Sequence, residues 1–132
     1  MSLVQVIFYL LIHSCKRSLL LTANYFFDER RPMILEHCDI EIDPSKNAEF
    51  EKAILIGVET VIAKSQGFRG FKVNHSVETP ARYLLMIYWD TLENHTIDFR
   101  GSDAFADWRN IVGPFFVKPP VVEHFNLIGK ST

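Results

Sequence analysis

Five histidines occur in the chain of 132 residues, and four of them, His37, His75, His95 and His124, follow Pro32. Imidazole titrates closest to neutral pH, so each of the four suits general acid or base work. His95 is the strongest candidate for a catalytic base. It lies just past Trp89, the end of an apolar run, where the chain turns towards a helical stretch, and clefts at element ends favour sites. Its structural alternative is a helix-surface or capping histidine. His75 alternates with Phe71, Val73 and Val77, which puts it on an apolar strand face, as a ligand contact or as a hydrogen-bonded core histidine. His124 directly follows Glu123, and strand neighbours point to opposite faces, so those two cannot line one cavity as a pair. The same alternation parts Glu36 from His37 and His37 from Cys38. With no C-x-x-C or H-x-x-x-H spacing either, no metal site is expected.

Trp89, Phe99 and Trp108, together with Tyr83 and Phe105, could wall a pocket for a planar ligand, although aromatics at such spacings are by default core. Arg100 could hold a phenolate or carboxylate, or pair at the surface with Glu93 or Asp98. The expected substrate contacts are therefore Trp89, Phe99, Arg100, His75, Trp108 and His124, grouped around His95. Gly67 and Gly70 precede no helix, and no phosphate-cradling loop or dinucleotide fingerprint occurs. No cofactor, flavin and nicotinamide included, is implied.

Composition bounds the rest. With 48% hydrophobic and 23% charged residues the chain is an ordinary globular one, long enough to bury a core without a disulfide or structural metal. A formal net charge of −2 offers no basic field for nucleic acid. The two cysteines, Cys15 and Cys38, make no disulfide framework, so a cytoplasmic protein is expected. Residues 1–32 differ in style, as an N-terminal extension outside the core domain. No basic residue precedes the apolar run Leu3 to Ile12, which argues against a secretory signal, and Lys16-Arg17 interrupts it too early for a membrane span.

The elements that must position the histidines follow from Met33 onward. Met33 to Ile42 reads as a strand, and Asp43-Pro44 as a helix start. Phe50, Ile54, Gly57, Val58, Val61 and Ile62 recur at helical spacing up to a stop before Gly67. Phe68 to Val77 alternates as a strand, Glu78-Thr79-Pro80 is a turn, and Ala81 to Asp90 returns as a second strand. Thr91 to Trp108 is helical, broken near Gly101 with Ser102 or Asp103 capping a second piece, and Pro114 ends it. Val121 to Ile128 is the last strand. The order is β-α-β-β-α-β, a ferredoxin-like α+β fold with an antiparallel sheet. From Tyr83 to Trp89 neither strand face is polar, so the side of the sheet away from the helices needs a cover. A second copy of the sheet is the economical one, and the apolar extension is its rival.

Residues Tyr88-Trp89-Asp90-Thr91-Leu92-Glu93-Asn94-His95-Thr96-Ile97-Asp98-Phe99-Arg100-Gly101-Ser102, then Phe105-Ala106-Asp107-Trp108-Arg109 and Val122-Glu123-His124-Phe125, resemble the antibiotic biosynthesis monooxygenase family. The resemblance covers Met33 to Ile128, about three-quarters of the chain, within an expected domain of residues 33–130. It implies a homodimeric α/β barrel with one small-molecule pocket per subunit between sheet and helices. The family includes cofactor-independent oxygenases of polycyclic phenols, isomerases and haem-degrading enzymes. The haem-degrading branch carries an Asn on the first strand; Glu36 and His37 stand on that strand here, which argues against haem degradation.

Two functions follow as expectations. One is a cofactor-independent monooxygenase, or related isomerase, acting on a small aromatic or carbonyl compound, with His95 as proton acceptor. The other is a non-catalytic module that binds or senses a small molecule in the same dimeric pocket. Folds of this kind host many activities, so the site has to decide.

Overall fold

The computed structural model describes residues 32–132. The expectations for the extension therefore lie, Pro32 apart, outside the described residues. Strand β1 (Ile34–Glu41) buries Glu36, Cys38 and Ile40 while the residues between them are half-buried, the period of two that a strand imposes. Asp43 ends it: its carboxylate accepts the Ser45 backbone N–H at 2.9 Å, and Pro44 opens a 3-10 turn (Pro44–Lys46). The α-helix proper, α1, runs over Asn47–Thr60 and buries Phe50, Ile54, Gly57 and Val58 on one face. It stops earlier than the spacing predicts, because a further 3-10 turn (Ile62–Lys64) carries Ile62 into the core.

Strands β2 (Phe68–His75) and β3 (Arg82–Trp89) form the expected hairpin, with Val73 opposite Leu85 and His75 opposite Tyr83. On β3, Tyr83, Leu85, Ile87 and Trp89 are buried and the residues between them half-buried. The next segment (Asn94–Phe99) is a π-helical turn in which the Arg100 backbone N–H donates to the His95 carbonyl at 3.1 Å. Ser102, in extended backbone conformation, then starts α2 (Asp103–Val112). A 3-10 turn (Gly113–Phe115) containing Pro114 leads to β4 (Val121–Asn126).

The sheet order is β2-β3-β1-β4, antiparallel throughout, which is the ferredoxin-like α+β fold. The core gathers Ile40, Leu85, Ile87 and Trp89 from the sheet with Phe50, Ile54, Val58, Trp108 and Val112 from the helices. Leu84, Met86 and Tyr88, of the opposite parity on β3, face away from that core. Gly57 is required where α1 meets α2, since a Cβ there would lie 2.8 Å from the Trp108 ring.

Candidate functional site

Glu36 and His124 are register partners across the β1–β4 pair, which brings their side chains together on the helix side of the sheet. His95 descends onto them from the π-helical turn. Its Nδ1 lies 2.7 Å from His124 Nε2, a hydrogen bond, and its Nε2 lies 3.4 Å from Glu36 Oε1. The other carboxylate oxygen of Glu36 accepts the Trp89 indole N–H at 2.8 Å. The His95 ring stacks on that indole, with centroids 5.5 Å apart and planes inclined by 14°, and Phe99 tilts against both. His95 is 2% exposed and Glu36 5%.

What holds His95 there is Asn94. Its Oδ1 accepts the backbone N–H and the hydroxyl of Thr91, at 3.1 and 2.9 Å, and its Nδ2 donates to Asp98 at 3.1 Å. The clamp ties the strand exit to the π-helical turn, and the wide turn sends His95 and Phe99 inwards together. Such turns recur at functional sites.

Burial dominates the electrostatics. It pushes the Glu36 carboxyl up to about 7, against the opposing pull of the Trp89 hydrogen bond and the Arg100 charge. It pushes His95 down to about 3, helped by Arg100 and by His124, so the imidazole is neutral at physiological pH. His124 is shifted downward by the same burial and by Arg100. Cys38, one β-period along from Glu36, is a buried free thiol pushed up to about 12 by burial and by the Glu36 and Asp39 charges, and so is inert as a nucleophile.

A cavity of about 590 Å³ opens between the sheet and α2. Glu36, Cys38 and His95 border it, aromatic walls come from Phe99, Phe105 and Trp108, and cationic groups come from Arg100, Arg109 and Lys118. Arg109 also lies over the Phe105 ring, 5.9 Å from its centroid, and Lys118 pairs with Glu41 at 2.5 Å. The expected surface pairing of Arg100 with Glu93 or Asp98 does not form. Asp98 serves the Asn94 clamp, and among the described residues the Arg100 guanidinium has no ion-pair partner. A cavity of this volume with an apolar aromatic wall and a few convergent polar groups has the size and make-up of a small-molecule site.

Of the residues singled out in the sequence, His95, Phe99, Arg100 and Trp108 border the cavity. Trp89 stands behind His95, and His124 does not border the cavity but hydrogen-bonds to His95. His75 is set apart: its ring stacks on Tyr83 at 4.2 Å and its Nε2 lies 2.8 Å from the Pro80 carbonyl, at the far end of the hairpin from Trp89. His37 faces the other side of the sheet, edge-on to Phe125 at 5.8 Å. Glu36 is a site residue that the sequence does not mark. Its one signal is that a carboxylate shares the apolar parity of Ile34, Cys38, Ile40 and Ile42. Among the described residues no group of three or more metal-ligating side chains is placed to hold an ion, and no helix is long and apolar enough to cross a membrane.

The chain is similar to known proteins of this fold. Residues 33–111 match the family model of antibiotic biosynthesis monooxygenases. The uncharacterized protein YczJ of Bacillus subtilis (strain 168) is 32% identical over 93 residues, 70% of this chain and 97% of its own length. A crystal structure from Bordetella bronchiseptica, of a protein named for the same family, aligns with a TM-score of 0.70 at 35% identity, covering 74% of this chain and 98% of the other. A monooxygenase from the ActVA-Orf6 gene of Streptomyces coelicolor, solved with the ligand nanaomycin D, aligns with a TM-score of 0.67 at 16% identity, covering 78% and 94%. The last likeness concerns the fold alone.

Proposed function

The chain belongs to the antibiotic biosynthesis monooxygenase family, and on that premise we propose that it is a cofactor-independent monooxygenase of a small aromatic or carbonyl compound. The observation that carries this reading is the placement of a buried acid–base cluster, centred on His95, at the wall of an aromatic-lined cavity. The reaction class needs a group that takes a proton from the substrate, so that the electron pair left on carbon can reduce dioxygen. It also needs a counter-charge for the anion formed, and Arg100 at the cavity wall, without an ion-pair partner among the described residues, supplies one. Phe99 and Trp108 flank a planar ligand, and Trp89 fixes the His95 ring from behind. That a fold relative was solved with nanaomycin D supports a polycyclic phenol or quinone as the first class to try.

The reading includes a homodimer that closes a barrel over the sheet face opposite the helices, and a cytoplasmic protein. Support for the dimer comes from that face: Leu84, Met86 and Tyr88 lie on it, and β4 adds Val121 and Phe125, 57% and 44% exposed in the single chain. Mass in solution tests it, with twice the chain mass expected and a stable monomer as the contrary result.

The activity is tested by an oxygen electrode, with purified protein, no added cofactor and a panel of polycyclic phenols. Oxygen uptake with some member supports the reading. Saturable binding of panel members without uptake would replace it with a binding or sensing module.

A further inference from the structure

We propose that Glu36, His95 and His124 form a proton relay that takes the substrate's proton at the cavity wall, passes it through the buried His95 ring and delivers it to His124. The proposal rests on the reading of the site as one that removes a proton, and it adds the order in which groups carry that proton. Three observations lead to it.

Glu36 and His95 border the cavity and His124 does not, so the cluster meets the ligand through the first two, and His124 stands away from it. His124 is half-buried whereas His95 is 2% exposed, so the outer end is also the end nearer solvent. Both ring nitrogens of His95 are turned to partners: Nδ1 to His124 Nε2 at 2.7 Å and Nε2 to Glu36 Oε1 at 3.4 Å. A neutral imidazole offers one donor and one acceptor, so a proton arriving at Nε2 can be matched by departure of the one on Nδ1. The buried ring is then never left charged, which is the state that burial penalises.

The transfer balances. A C–H or O–H bond of the substrate breaks, its electron pair stays on the substrate, and the proton bonds to the Glu36 carboxylate. The Glu36 proton moves to His95 Nε2 as the Nδ1 proton moves to His124 Nε2, and the resulting His124 imidazolium returns a proton to water. Run in reverse, the same path delivers a proton to the cavity and restores the starting tautomers.

Three groups face the relay. Arg100, from the end of the π-helical turn, acts on all three members: it favours the carboxylate form of Glu36 and disfavours the His124 imidazolium, so a proton that reaches His124 passes on to water instead of resting there. Trp89, from β3, donates to Glu36 and so holds one of its oxygens in place. Cys38, from β1, stays a thiol.

The test is nuclear magnetic resonance of the full chain labelled with 15N at histidine and 13C at glutamate carboxyls, titrated from acid to alkaline pH without any ligand. The relay predicts that the His124 ring nitrogens show an inflection at the pH where the Glu36 carboxyl titrates. The inflection should vanish in His95→Phe although Glu36 still titrates. His95→Gln, smaller and unable to tautomerise as a ring, should give the same loss if the Phe variant folds poorly. An inflection that survives in these variants, or none in the parent, would overturn the relay. Because no turnover is read, failure of the monooxygenase reading leaves this result standing. Where turnover is measured, His124→Phe should lower kcat about tenfold or more with KM little changed; an unchanged kcat would also overturn the proposal.

Discussion

The Trp89 indole N–H donates to the Glu36 carboxylate across 2.8 Å with both side chains buried, and the same indole face carries the His95 ring. One side chain thus fixes both Glu36 and His95. Trp89→Phe keeps an aromatic face but leaves a buried carboxylate oxygen without its donor. We expect a loss of about 1–3 kcal/mol in stability and a further upward shift of Glu36, since the lost hydrogen bond opposes burial. Urea unfolding and 13C carboxyl titration read the two effects.

The Glu36–His95 pair also shapes stability against pH. Glu36 is raised from 4.5 to about 7 in the folded chain, so its contribution is full below about 4.5 and lost as pH rises through about 7. His95 is lowered from 6.5 to about 3, so its contribution is full above about 6.5 and lost as pH falls through about 3. The two slopes oppose each other between about 4.5 and 6.5. Glu36→Gln removes only the first. Relative to the parent, its stability should rise from pH 5 to pH 8 by about 2–3 kcal/mol, and a difference independent of pH would show that Glu36 titrates normally.

Much of this arrangement was legible from residue order. Alternation along β1 and the i, i+4 spacing of Phe50, Ile54 and Val58 encode which faces are buried there, and the order of elements follows. His95 is legible because Trp89 closes an apolar run just before it. Glu36 is not, because alternation says that it and His37 face opposite ways without saying which strand lies alongside; only the β1–β4 register sets it opposite His124. The π-helical turn is equally silent, since Asn94 to Phe99 carries no composition that separates it from an α-helix. His75 has the right parity and the wrong end: its strand position delivers it to Tyr83 rather than to the cavity.

Gly57 and Trp108 set the width between α1 and α2. A Cβ at Gly57 would lie 2.8 and 2.9 Å from two Trp108 ring carbons, so Gly57→Ala must shift a wall of the cavity. Overpacking of this kind costs about 1–3 kcal/mol, more than the roughly 1 kcal/mol of helix propensity gained. Thermal unfolding should show the loss, and tryptophan fluorescence the displaced indole.

Gly67 tests the clamp that holds His95. Its φ of +80° disfavours any side chain, and a Cβ there would lie 2.1 Å from Asn94 Oδ1. Gly67→Ala should therefore destabilise the fold by at least about 1–2 kcal/mol. It should also disturb the His95 ring resonances, whereas Gly113→Ala, where nothing lies within 4 Å, should leave them in place.

The central claim is that the cluster around His95 removes a proton so that bound substrate can reduce dioxygen. Its most direct test is oxygen consumption by the parent and by His95→Ala, without added cofactor, on whichever phenol of the panel is turned over. The account predicts uptake by the parent, loss of about a hundredfold or more in kcat for His95→Ala, and a variant that still folds and binds the phenol. Undiminished uptake by His95→Ala would contradict it.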